Sequence, residues 1–493
     1  MFRRLLLRLQ TPLPSPPDGG WGWVVVLASF IIHIPTLGLV YSYGVLYAAF
    51  LLDPSLGGDR AQLALVGSTA TGVLLAAGLL TGKMVHRWGA RPVTLLGGVL
   101  VAAGLVASSF ARGVWMLCGT YGVLLGFGVS FSFAPSVMCI SSYFTTKRSL
   151  AVGLAVAGSG AGTLLVSMSN EALIQTVGWR VALRVDAAFA LLLICCGALA
   201  YIPVISTVTT PRGEVPAGSI ATTPRVEAPV GSALSPQGAA EPDVRAWHLP
   251  ARASAALAPE AAVCQILAPG EEGGPPRLTV RQVVSSRPFL QMSIGISVYA
   301  SAMFVCYTYL ASFVIESGMS YADAAGYVSL IGVANMAGRI LLGRAADSLQ
   351  GSRRGKVWLF GGSMIVCGVA MLGLAAPFGG GQTFLSMFSL IFGLSAGTIV
   401  SLAPPILVDS LGLDALPLAL GGVYSMQAPL VLLAPPLAGV LRSAQGDYTA
   451  VWLAAGITMC AAAGVLWGVP ARVGDAGGVA ATRREVSKAV TTA

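Results

Sequence analysis

Long apolar runs, each about the length that crosses a bilayer, alternate along this chain with short polar segments that carry nearly all of its charge. The runs occupy residues 23–48, 62–85, 92–110, 114–139, 150–173 and 181–203, then 288–314, 323–346, 356–377, 382–408, 416–440 and 448–470. A helix needs about 20 apolar residues to span the hydrocarbon core, and lipid offers the backbone no hydrogen-bond partners, so each run is predicted to be helical. The pattern predicts an all-α membrane protein of about twelve transmembrane helices.

Composition agrees with this and removes the water-soluble alternative. Of 493 residues, 55% are hydrophobic and only 10% are charged. A soluble domain carries roughly 25% charged residues. The charges also orient the helices. Arg3, Arg4 and Arg8 precede the first run, Lys83, Arg87 and Arg91 separate the second from the third, and Lys147 and Arg148 separate the fourth from the fifth. Arg344, Arg353, Arg354 and Lys356 follow the eighth, and Arg472, Arg483, Arg484 and Lys488 follow the last. The opposite loops hold Asp53, Asp59, Glu316 and Asp323 with scattered Arg60, Arg112 and Arg442. The positive-inside rule then places both termini in the cytosol, with an even number of spans. The net charge of +9 is a topology signal and implies no nucleic-acid partner.

Residues 204–287 are rich in Pro, Ala, Gly and Ser and show no periodicity, so a disordered cytosolic linker is expected there. The chain divides into a tail (1–17), a six-helix bundle (18–203), that linker, a second six-helix bundle (288–470) and a tail (471–493). The start of the chain is too short and too broken by proline to read as a secretory leader.

The two halves repeat. Gly82-Lys83 and Gly89-Ala90-Arg91 after the second run correspond to Gly343-Arg344 and Gly351-Ser352-Arg353-Arg354 after the eighth. Gly97-Gly98 corresponds to Gly361-Gly362, and Gly126 with Ala134-Pro135 to Gly393 with Ala403-Pro404. Two pseudo-symmetric six-helix bundles with a central cavity is the architecture of a major facilitator transporter.

Asp18-Gly19-Gly20-Trp21-Gly22-Trp23 runs straight into the first apolar segment. Tyr143-Phe144-Thr145-Thr146-Lys147-Arg148-Ser149-Leu150-Ala151-Val152-Gly153-Leu154-Ala155 opens the fifth. On its own, the first motif reads equally well as an aromatic anchor at the headgroup level. Together the two resemble the monocarboxylate transporter family of the major facilitator superfamily, across both bundles but not the linker or tails. Gly178-Trp179-Arg180 adds to the likeness. The resemblance implies a small organic monocarboxylate as solute, alternating access, a proton as a second substrate, and a single-span ancillary protein. The plasma membrane is the favoured location, and no cofactor is implied.

The chain departs from that family at its charges. Where proton-coupled lactate carriers of the family hold a lysine in helix one, this chain has Tyr41. The aspartate and arginine of helix eight are Asn335 and Arg339, and a helix-eleven glutamate is Gln427. The basic residue at the entry to helix five persists as Arg148. Proton coupling is therefore left open.

Arg339 is the leading site residue. A mid-membrane guanidinium is costly and faces a cavity or a partner, and its planar fork suits a carboxylate. The alternative is membership of a basic cluster with Arg344. Asn335 lies one turn away, as a second solute contact or as helix packing. Tyr41 and Gln427 complete the candidate substrate-binding set. His33 titrates near neutrality and is either a proton carrier or a packed, hydrogen-bonded histidine. Arg184 and Asp186 open the sixth helix as a structural ion pair or a gate, and Arg148 is a further gating candidate.

Enzyme classes find no support. His33, His86 and His248 are far apart in sequence and suggest no metal site. The eight cysteines form no CxxC, and no phosphate-binding G-x-x-x-x-G-K-[ST] occurs. A carrier of aromatic amino acids or another organic solute, and a nutrient receptor on a transporter scaffold, are the rival readings.

Overall fold

A computed structural model describes residues 19–144, 147–201, 280–348, 353–411 and 416–467. The regular structure of the described residues is entirely helical. Eleven helices are long and apolar enough to cross a membrane, and the twelfth span is a bent pair. The first span comprises Trp21–Tyr41 and Tyr43–Leu51. The second is Arg60–Ala76 followed by Gly78–Trp88, bent by 44°. The third is Ala90–Ser109, and the fourth runs from Val114–Leu117 through a π-helical turn, Cys118–Leu124, into Leu125–Tyr143. Arg148–Val177 and Trp179–Ala198 are the fifth and sixth. Arg287–Glu316, Tyr321–Ser348, Arg353–Leu374, Gln382–Leu411, Leu416–Gln445 and Thr449–Trp467 are the seventh to the twelfth. With an even number of spans, both ends of the described chain lie on one face, here the terminal face; the other is the distal face.

Packing repeats between the halves. The first span packs on the fifth, and the third packs between the fourth and sixth. In the second half the seventh packs on the eleventh, and the ninth between the tenth and twelfth. The halves meet along two seams, fifth against eighth and second against eleventh. Exchanging the halves turns one seam into the other, so the contacts themselves carry the pseudo-two-fold that the sequence repeat implied.

Small residues set how closely these helices approach. Gly158 and Gly162 are four apart and face the first span. A Cβ at either would fall 2.1 Å from the carbonyl oxygen of Phe30 or 2.2 Å from that of Ile34. This is a small-xxx-small contact inside one bundle. Gly160 points the other way, across the seam, where a Cβ would fall 2.4 Å from the carbonyl oxygen of Gly332.

The two family motifs touch each other at the terminal face. Trp23 packs edge-on against Phe144, with ring centroids 5.1 Å apart. A Cβ on Gly22 would lie 3.0 Å from the same Phe144 ring. The Trp21 indole N–H donates to the carbonyl of Ala200, 3.1 Å away, past the end of the sixth span. The first motif thus clamps the start of one helix to the ends of two others, a role beyond the headgroup anchoring its rings alone suggest.

Asp18, most of the expected linker and both expected tails lie outside the described residues. The last part of that linker differs from expectation. Val280–Val284 is helical and packs against the eleventh span before the seventh begins at Arg287.

Candidate functional site

Arg339 lies in the eighth span, Tyr321–Ser348, nearer its terminal-face end than its distal end, with 2% of its surface exposed. Its Nε–H donates to Oδ1 of Asn335, one turn back, at 2.8 Å. Its Nη1 donates across the seam to the carbonyl of Val156 in the fifth span, at 2.7 Å. Nη2 is buried and has no hydrogen-bond partner. A buried donor left open is costly, and costlier on a charged group. The guanidinium is therefore a held fork with one free prong. Asn335 thus holds the arginine through its side-chain carbonyl oxygen.

Around Arg339 the structure gathers side chains from both halves. The Arg339 charge acts on His33 in the first span, Tyr307 in the seventh and Tyr424 in the eleventh. Tyr41 stacks on Tyr307 across the two halves, with centroids 4.8 Å apart and planes 16° apart, and lies 6.1 Å from the Phe304 ring. Gln427 lies one turn from Tyr424 and is buried with its amide nitrogen unpartnered. His33 is fully buried, its Nδ1 2.6 Å from the carbonyl of Ser29, its ring edge-on to Phe133, and its Nε2 unpartnered. A carbonyl accepts, so Nδ1 carries the proton and Nε2 presents a lone pair.

Tyr307 and Tyr424 join the site from the second half, and Tyr424 is not among the candidate residues of the sequence. The signal available was helical spacing, since Tyr424 lies three residues before Gln427 and so on nearly the same face.

The distal face is bridged between the halves. Glu316, at the end of the seventh span, binds Arg60 of the second at 2.7 Å and Arg442 of the eleventh at 2.5 Å. Arg60 also donates to the Tyr448 hydroxyl at 3.2 Å. These charges served the sequence only as topology markers. Nearby, a Cβ on Gly44 would fall 2.4 Å from the carbonyl oxygen of Tyr307, and Tyr47 packs edge-on to Tyr309 at 5.2 Å. In the loop after the first span, Asp53 accepts from the Trp179 indole at 2.8 Å and from Arg180 at 2.9 Å. Burial opposes the Asp53 charge, but the donors Ser55, Trp179 and Arg180 together outweigh it and hold the carboxyl at about 2.

Arg184 and Asp186 do not pair, contrary to the expected structural ion pair. Arg184 donates to Ser109 at 3.0 Å and lies over the Phe110 ring, 4.7 Å from its centroid. Asp186 is turned inward, 4% exposed, with Oδ2 unpartnered. Two residues on a helix differ by about 200°, so the spacing itself argued against a pair. Arg148 begins the fifth span, and its side chain lies outside the described part of the structure.

Comparison with known proteins places this geometry. The Major Facilitator Superfamily profile matches residues 25–412. Human monocarboxylate transporter 11 is 30% identical over 473 residues, covering 94% of this chain and 86% of the relative. Human monocarboxylate transporter 12 is 28% identical, covering 90% and 80%, and monocarboxylate transporter 13 of Rattus norvegicus 26%, covering 92% and 90%. The chain belongs to the monocarboxylate transporter family. It is a multi-pass membrane protein of the major facilitator fold and, as a member of that family, a transporter. In this member of the family the one fully buried arginine of the described core is Arg339, and both halves of the repeat contribute to its surroundings.

Proposed function

We propose that the protein moves small organic monocarboxylates by alternating access, with the solute carboxylate on Nη2 of Arg339. The observation that carries this reading is the free prong itself, a buried cationic donor with no protein acceptor where the two halves meet. The aromatic walls of Tyr41, Tyr307 and Phe304 suit an apolar solute body. Those rings also favour a second reading, a carrier of aromatic amino acids. The terminal face is cytosolic and the distal face extracellular, in accord with the placement of Lys and Arg. The bundles rock about the seams, and the described conformation is the one closed at the distal face.

Coupling follows from which groups surround Arg339. Asn335 and Gln427 do not ionise, so the loaded site is neutral while the empty carrier returns with a cation. Moving that cation through a low-dielectric path is the expensive step. Exchange of one anion for another therefore outpaces net uptake.

The test is uptake and exchange of labelled short monocarboxylates, aromatic amino acids and flavins in reconstituted vesicles at two external pH values. Saturable exchange of a carboxylate supports the proposal. Binding without flux would mark a nutrient receptor, and no carboxylate movement under any gradient would refute it.

A further inference from the structure

About two helical turns in from the distal ends of the fourth, fifth and sixth spans, at Val114, Val177 and Trp179, lies a second buried polar group, separate from Arg339. Asp186 of the sixth span, Asn170 of the fifth and Tyr121 of the fourth converge there. Asp186 is 4% exposed and Asn170 not at all. Asp186 Oδ2, both side-chain atoms of Asn170 and the Ser167 hydroxyl one turn away have no hydrogen-bond partner. Asn170 sits close enough to act on the carboxyl without completing a hydrogen bond to it. Tyr121 lies in the π-helical turn Cys118–Leu124, a distortion that often marks functional positions.

No cation acts on this carboxyl among the described residues. Arg184 faces Ser109 and Phe110, Arg180 is held by Asp53, and the titratable neighbours are Tyr121 and, beyond it, Tyr43 and Cys118. An ionised carboxylate without a counter-charge is far too costly here, whereas a protonated one is a neutral donor beside an amide that lacks partners.

The group is also wired to the distal bridge. Tyr121 packs on Tyr43 at 5.5 Å, Tyr43 on Tyr47 at 6.3 Å, Tyr47 on Tyr309 at 5.2 Å and Tyr309 on Tyr448 at 6.0 Å. Tyr448 donates to Glu316. The row crosses from the first half to the second between Tyr47 and Tyr309. Parting the halves at the distal face would separate Tyr47 from Tyr309 and so open the end of the row that leads through Tyr43 and Tyr121 to Asp186.

We infer that Asp186 is a proton-binding site read from the distal face, filled when the halves close there and emptied when they part. Closure then takes up one proton from the distal medium, and reopening to the same side returns it. The carboxyl is the only group that changes; the proton comes from water and goes back to water. Distal pH thereby sets the rate of closure without driving accumulation. The inference rests on the alternating movement proposed above and not on the identity of the solute.

Infrared spectroscopy of the full-length protein in liposomes at neutral pH tests it without any solute. Wild type is expected to show a protonated-carboxyl C=O band that Asp186→Asn removes. Glu316→Gln, which breaks the distal bridge, is expected to weaken the band. A band unaffected by Asp186→Asn overturns the site, and a band indifferent to Glu316→Gln overturns the link to opening. In vesicles, wild-type exchange should fall as the distal medium is made alkaline, Asp186→Glu should keep that dependence, and Asp186→Asn should be flat. A pH profile unchanged in Asp186→Asn refutes gating. If the bands behave as expected but no carboxylate moves, the solute proposal fails while the proton site stands.

Discussion

The Nη1 of Arg339 and the carbonyl of Val156 are 2.7 Å apart, and the bond between them joins the two halves of the molecule. It is made by the same side chain whose free Nη2 is proposed to take the solute. Binding and the state of the fifth–eighth seam are thereby tied to one guanidinium. A carboxylate that draws the fork toward itself would compete with the Val156 carbonyl.

Arg339→Ala should abolish flux while leaving folded protein, and Arg339→Lys should retain partial activity, reduced at least tenfold. Lysine keeps the charge, but a single ammonium cannot hold Asn335, Val156 and a carboxylate in one plane; losing a charged hydrogen bond costs about 1.5–3 kcal/mol. Initial exchange rates with surface-expressed or reconstituted protein decide it. Normal flux in the alanine variant would make the arginine purely structural.

Asn335→Asp should convert an exchanger into a carrier that responds to a proton gradient. The new carboxyl sits one turn from the arginine and already has its partner, the Arg339 Nε–H at 2.8 Å. It would neutralise the empty site and ease its return. Net uptake with and without an inward pH gradient is the measurement, and an unchanged ratio of exchange to net uptake would count against the coupling argument.

Gly160→Val should arrest transport, whereas Gly153→Ala should be tolerated. A Cβ at Gly160 would meet the Gly332 carbonyl oxygen at 2.4 Å, while one at Gly153 has its nearest neighbour, the Arg339 carbonyl oxygen, at 3.8 Å. Overpacking of this kind costs about 1–3 kcal/mol. Comparing thermal midpoints with exchange rates separates a jammed seam from a failure to fold.

Asp53 ties the distal ends of the first and sixth spans, and its folded carboxyl is held at about 2. A depressed carboxyl contributes stability above its unfolded value, about 3.9, and loses it only as pH falls through the folded value. Between pH 5 and 8 the tie should therefore be constant. Asp53→Asn should lower the thermal midpoint by the same amount throughout that window. A destabilisation that grows toward one end of the window would show that the tie titrates there.

Spans, halves and family were legible because each is written in long-range pattern: apolar length, repeated glycines, cations on alternate loops. The second span's break was not, since Ala76, Ala77 and Gly78 carry no proline and read as ordinary helix. Arg339 stood out because a lone charge in an apolar run has few explanations. The Asn335 role, the Val156 carbonyl and the Tyr41–Tyr307 stack did not, because they depend on which faces of separate helices meet. Gly158 and Gly162 pack within their own half, yet Gly160 between them faces the opposite half, a difference the run of small residues does not reveal.

The two motifs that identify this family meet where Trp23 packs on Phe144, and the second runs on from there to Ala155, one residue short of the carbonyl that Arg339 grips. What makes the chain recognisable is a fastening, and the side chains that would select its cargo, Arg339, Tyr41 and Tyr307, lie outside both motifs. Such a lineage can exchange one solute for another while its signature stays intact, so shared motifs carry a protein's ancestry further than they carry its diet.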